Sequence, residues 1–166
     1  MRSSASWWAA KVRQFRAHLR ARVDPAERAG LATWLSDGQL AVFDGMHVAD
    51  RRHGLDVVST LRADGVTDLD LLLAGLLHDA GKGQTGVLPR VVYSLGQAFG
   101  AWVWRLAAVV PGLRGGLARL ADHADTSAAL AAAAGCSPRT VELIRNQEAP
   151  IDTDAGRLLK LADEAN

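Results

Sequence analysis

A chain of 166 residues, 49% of them hydrophobic and 22% charged, has the material for one domain with a proper core and is excluded from the disordered class. Its formal net charge of +1 is unevenly spread: residues 1–23 hold Arg2, Lys11, Arg13, Arg16, Arg20 and Arg22 and no acid. The remainder is therefore mildly acidic, which argues against nucleic acid as a main partner. The single cysteine, Cys136, excludes an internal disulfide framework, suits a reducing cytoplasm, and reads as a small buried residue.

In chain order, residues 1–23 come first, as a basic amphipathic helix with Trp8, Val12, Phe15 and Leu19 at helical spacing. Its apolar stretch, Trp7-Trp8-Ala9-Ala10, is too short for a secretory leader. It reads as a helix docked on its own domain, with weak membrane-surface contact as the alternative. Asp24-Pro25 supplies a cap and a helix-initiating proline for Ala26–Leu35. Ser36 opens a longer helix that ends near Gly65. A helix from Asp68 follows, then a glycine-rich turn at 81–86. Val87–Tyr93 is the only strand candidate, and Pro89 weakens it. Val91–Val110 reads as a helix; its part from Leu95 to Pro111, with Trp102 and Trp104, is too short and too charged at Arg105 to cross a membrane and fits a core or homodimer-interface helix, with a membrane-surface hairpin as the alternative. Gly112–Gly116 breaks the chain before the alanine-dense Thr126–Ala134. Ser137-Pro138 starts a helix to about Asn146, and a last one begins near Asp152 or Thr153. These elements predict an all-α fold: a single domain of about seven helices.

The segment Leu71-Leu72-Leu73-Ala74-Gly75-Leu76-Leu77-His78-Asp79-Ala80-Gly81-Lys82-Gly83 carries the most chemistry. Leu and Ala on every side mark a central buried helix of about three turns, capped by Asp68 and ended by Gly81. A His-Asp pair at its end needs partners, because an unpaired carboxylate in apolar surroundings is costly. A metal ion is the obvious partner, and a structural hydrogen-bonding role is the plainer one. Three further groups sit in suggestive places: His53, flanked by Asp50 and Asp56; His123 in Asp122-His123-Ala124-Asp125; and Asp163 beside the stripe of Leu158 and Ala162. Each also has an ordinary reading as a helix residue in an ion pair. Arg51 and Arg52 fit either a phosphate or pairing with Asp50 and Asp56, while His18 and His47 read as surface or supporting residues. Gly81-Lys82-Gly83-Gln84-Thr85-Gly86 spells a dinucleotide fingerprint, but it follows a helix instead of a strand. It is better read as a flexible rim beside a metal pocket.

The phrases RRHGLDVVSTL, LLLAGLLHDAGKG and LLKLADEAN, in the order His … His-Asp … Asp, resemble the HD superfamily of metal-dependent phosphohydrolases from about residue 40 to 166. The resemblance assigns residues 24–166 to an HD-type helical domain. It implies His53, His78, Asp79 and Asp163 as ligands of one divalent metal; two imidazoles and two carboxylates suit Mn, Fe, Co, Ni or Zn, with Mg weaker. It further implies a metal-activated water, Asp79 orienting or deprotonating it, and Lys82 as a cation near a small phosphorylated, nucleotide-like substrate. Members with a second metal carry further histidines. His123 matches one such position, but Gln147 stands where another histidine is found, with Asn146 or Glu148 as oxygen donors nearby. The chain lacks the Gly-Tyr-Pro signature of the cyclic-dinucleotide branch. A non-catalytic sensor or interaction module that keeps the pocket is the alternative, and a diiron oxygenase is a third.

Overall fold

The structure, a computed structural model, describes residues 20–107, 109–152 and 154–166. The predicted N-terminal helix, with His18, lies almost entirely outside the described residues. Among these there are ten α-helices and no strand: α1 (Pro25–Leu31), α2 (Asp37–Gly45), α3 (Val48–Ala63), α4 (Leu69–Leu77), α5 (Val87–Phe99), α6 (Trp102–Ala107), α7 (Leu113–Ala121), α8 (His123–Ala133), α9 (Pro138–Arg145) and α10 (Ala155–Ala165), with a short 3-10 turn over Ala80–Lys82.

The expected caps are in place. Asp24 with Glu27 and Ser36 with Gln39 form capping boxes at α1 and α2. Asp68 and Ser137 accept from backbone N–H groups at the starts of α4 and α9. Every residue from Leu71 to Leu77 is buried, and α4 packs against α3, α9 and α10, so it is the central helix that its composition predicts. Each of its leucines contributes roughly 1.5–3 kcal/mol of burial. The core continues through Phe43, Val57, Leu61, Ile144 and Leu159, and none of its residues comes from α5–α7. Those three helices form an annex, joined to the body where α7 packs on the 3-10 turn and α8, and through the pair of Arg90 with Asp50.

Several boundaries differ from the sequence reading, which is why ten helices stand where about seven were expected. The helix from Ser36 to Gly65 is two, because Met46 turns extended and the His47 side chain accepts from the Ala49 N–H to start α3. The strand candidate Val87–Tyr93 is the first half of α5, where Pro89 falls in a first turn that tolerates it. The helix Val91–Val110 breaks at Gly100, whose φ of 106° favours glycine. Its second part is no core helix, since Trp102, Leu106, Val109 and Val110 are exposed. The central helix stops at Leu77, so His78 is its C-cap and Asp79 begins the 3-10 turn.

Two glycines let backbones approach at the site. A Cβ at Gly54 would sit 2.5 Å from the Leu76 carbonyl oxygen, and one at Gly81 would sit 2.3 Å from the His123 carbonyl oxygen. Gly54 thus sets how closely α3, which carries His53, lies on α4, which carries His78. Gly54→Ala gains helix propensity but forces the two helices apart, a net cost of roughly 1–3 kcal/mol. Thermal unfolding should show a Tm lower by about 3–10 °C; an unchanged Tm would mean the helices have room to part.

Candidate metal centre

Four of the predicted ligands converge from three parts of the chain. His53 lies in the middle of α3, His78 and Asp79 follow α4, and Asp163 lies near the end of α10. The Nε2 atom of His53 is 2.7 Å from Asp163 Oδ1. His78 Nε2 is 3.4 Å from the same oxygen and 3.5 Å from Asp79 Oδ1. The two imidazoles meet edge to face, with centroids 5.2 Å apart. The donor atoms of His53, His78 and Asp163 lie within 4.8 Å of one another, a group that could hold a metal ion. Asp79 flanks this group through His78.

The tautomer of His78 follows from its surroundings. Its Nδ1 lies 3.0 Å from the Gly75 carbonyl oxygen, which can only accept, so Nδ1 carries a hydrogen. The outward nitrogen, Nε2, is buried without a hydrogen-bond partner. Its two carboxylate neighbours are at ion-pair distance but not aligned for a hydrogen bond. A buried polar atom of this kind needs a proton held by charge or a metal ion, and the surrounding donors fit the second.

Charge is concentrated here. Burial disfavours a charged His78, yet Asp79 and Asp163 outweigh it and raise its pKa to about 9. Burial likewise opposes ionisation of Asp79, but Lys82, His78 and His53 hold its carboxyl well below the usual carboxylate range. For Asp163, burial is outweighed by the hydrogen bond from His53 and the charge of nearby His78, which hold its carboxyl below the usual range. Lys82 donates to Asp79 Oδ2 at 2.5 Å. Asp79 therefore has one oxygen on Lys82 and the other toward the histidines.

His123 stands at the edge, its Nε2 3.8 Å from Asp79 Oδ1. Its Nδ1 donates to the Leu120 carbonyl, and Nε2 faces the Gln147 side-chain nitrogen at 3.4 Å. That same Gln147 nitrogen donates to the His78 carbonyl. Gln147 thus ties His123 to the end of α4 in the place where a further ligand was considered. Burial pushes the His123 pKa down, so it is neutral near pH 7. The Asn146 amide bonds back to the Glu142 carbonyl, and Glu148 is exposed.

The sequence reading missed the support around the turn. Asp50 does not pair with Arg51. It forms a doubly bonded pair with Arg90 of α5, both contacts at 2.6 Å. Arg52 takes Glu27 as well as the expected Asp56, and Arg51 keeps a buried Nε without a hydrogen-bond partner. Thr85 is fully buried. Its hydroxyl donates to the Lys82 carbonyl, its carbonyl accepts from Arg90 Nε, and its oxygen accepts from Arg119 Nε. The stretch 81–86 is therefore a pinned segment and not a flexible rim. No periodicity announces a Thr or an Arg that works through partners so distant in the chain. Cys136 is half-buried, with its thiol pKa pushed up by burial, which makes it a poor nucleophile.

The chain matches no family model, no curated protein and no solved structure. No helix among the described residues is long and apolar enough to cross a membrane.

Proposed function

We propose that the chain is a metal-dependent phosphohydrolase of the HD type, acting in the cytoplasm on a phosphate ester of a nucleotide or nucleotide-derived signal. The observation that carries the reading is the buried, unpartnered Nε2 of His78, surrounded by His53, Asp79 and Asp163. Two imidazole nitrogens and carboxylate oxygens suit Mn, Fe, Co, Ni or Zn ahead of Mg. Such an ion supplies Lewis-acid polarisation of a phosphoryl oxygen and makes water acidic enough to attack near neutral pH. The order of these residues, with Lys82 in His-Asp-x-Gly-Lys, is the pattern that the HD resemblance calls for.

The chain's own groups divide the remaining work. Asp79 orients water through Oδ1; with its carboxyl held far below the usual range it is a weak base, so orientation is its role. Lys82 brings a cation to the substrate phosphate while its bond to Asp79 fixes that carboxylate. Gln147, engaged with His123 and the His78 carbonyl, favours one ion over two.

Phosphate release from a panel of nucleotides, with Mn added, tests the reading. Wild type should turn over at least one of them, and Asp79→Asn should be slower by about 100-fold or more. Metal bound without turnover on any phosphate ester would leave the non-catalytic sensor standing instead.

Metal affinity should depend on pH in a defined direction. In the metal-free chain His78 holds a proton up to about pH 9, facing His53, Asp79, Asp163 and, behind Asp79, Lys82. An ion must displace that proton, so affinity rises about tenfold per pH unit below that value and levels above it. His123, already neutral, adds nothing to the slope near pH 7. Calorimetric titration with Mn at several pH values reads this directly, and a flat profile would contradict it. The stability of the metal-free chain follows the same pairs. The raised His78 pKa stabilises the fold fully below about pH 6.5 and is lost as pH rises through about 9. The lowered Asp79 and Asp163 values stabilise it above about pH 4 and are lost on acidification.

A further inference from the structure

The annex carries a surface that the hydrolase reading does not use. Phe99, Trp102, Leu106, Val109 and Val110 are all exposed, Leu106 at 62% and Val109 at 80%. Trp102 and Leu106 stand four residues apart on α6, and the Trp102 indole N–H is already bonded to the Phe99 carbonyl. Trp102 can therefore leave water without orphaning its donor. Trp104, by contrast, faces inward, stacked on Tyr93 and bonded to its carbonyl, and holds α6 onto α5. The patch is thus displayed by an anchored helix.

The stretch of chain that forms the annex carries charge of one sign. No Asp or Glu occurs from Ala80 to Ala121, a stretch that holds Lys82, Arg90, Arg105, Arg114 and Arg119. Lys82 and Arg90 are engaged by Asp79 and Asp50. Arg105 and Arg114 are exposed and close in sequence to the exposed apolar residues. Residues 1–23 are also free of acids, and together the two stretches hold four of the five tryptophans, Trp7, Trp8, Trp102 and Trp104.

We propose that the α5–α7 annex docks on an anionic lipid surface. Phe99, Trp102, Leu106, Val109 and Val110 enter the headgroup–acyl boundary, and Arg105 and Arg114 meet the lipid phosphates. Exposed tryptophan, leucine and valine with two exposed arginines, in a stretch of sequence without an acid, have the composition of an interfacial membrane contact. Charge disfavours a symmetric second copy as the occupant, since it would set Arg105 and Arg114 against the same arginines. The proposal is independent of the chemistry at His78.

Cosedimentation of the full chain with vesicles tests it. The chain should pellet with vesicles of equal phosphatidylglycerol and phosphatidylcholine, remain in the supernatant with phosphatidylcholine alone, and be released by high salt. Trp102→Ser with Leu106→Ser should weaken binding by about tenfold or more, and Arg105→Glu with Arg114→Glu by at least about fivefold per charge. Both pairs are exposed, so an unchanged Tm verifies their folding. Equal pelleting of wild type and both variants would place the lipid contact elsewhere and overturn the proposal. So would a wild type that ignores anionic vesicles, or a dimer that the Leu106 variant dissolves.

Discussion

His78→Ala should abolish high-affinity metal binding and phosphate release together. The imidazole supplies the buried Nε2 around which His53, Asp79 and Asp163 are arranged. Loss of a groups-in-contact partner around a metal already costs about 10–100-fold, and loss of the ligand itself costs at least the upper end of that range. Removing His78 takes away a cation that Asp79 and Asp163 hold in place, so the variant should fold with a lower Tm, α4 staying capped at Asp68. Calorimetry with Mn, beside circular dichroism, separates the two effects. A variant that still binds Mn with wild-type affinity would remove His78 from the centre.

Arg90→Ala should be among the most destabilising single changes away from the core. Asp50 is almost wholly buried, at 5% side-chain exposure, and Arg90 is its bidentate partner. Without Arg90 the Asp50 carboxylate is left charged in the interior, which costs about 3–5 kcal/mol. For a chain of this size, that corresponds to a fall in Tm of roughly 6–20 °C. The loss also frees the Thr85 carbonyl, loosening the segment that carries Lys82. The double variant Asp50→Asn with Arg90→Met should recover part of the stability, since the buried charge is then gone. A single variant as stable as wild type would show that water reaches Asp50.

The parts of this molecule that were legible in the sequence are those encoded locally. Asp24, Ser36, Asp68 and Ser137 mark helix starts through their own side chains, and the run from Leu71 to Leu77 can only be a buried helix. The convergence of His53 and Asp163 on His78 was expected from the resemblance to HD proteins alone, because nothing local ties residues so far apart. What escaped was non-local or depended on single backbone angles. The turn at Met46–His47 hides in a continuous apolar pattern, and Gly100 breaks a helix that its neighbours would extend. Asp50 and Arg90 each look like surface residues until α3 and α5 are brought together. Gly54 looks like a weak point in a helix until the Leu76 carbonyl is found against it. Gln147 drew attention as a missing histidine, whereas its amide has its own bonds to His123 and the His78 carbonyl.

The central claim is that His53 and His78 place imidazole nitrogens on one divalent ion. Electron paramagnetic resonance of the chain titrated with Mn, with nitrogen modulation recorded on the bound signal, tests it most directly. One tightly bound Mn per chain is predicted, showing coupling to imidazole nitrogen that diminishes in His53→Ala and disappears with the ion in His78→Ala. A spectrum of free aqueous Mn at all protein concentrations, or bound Mn without nitrogen coupling, would contradict the claim and leave the cluster as a buried ion-pair network.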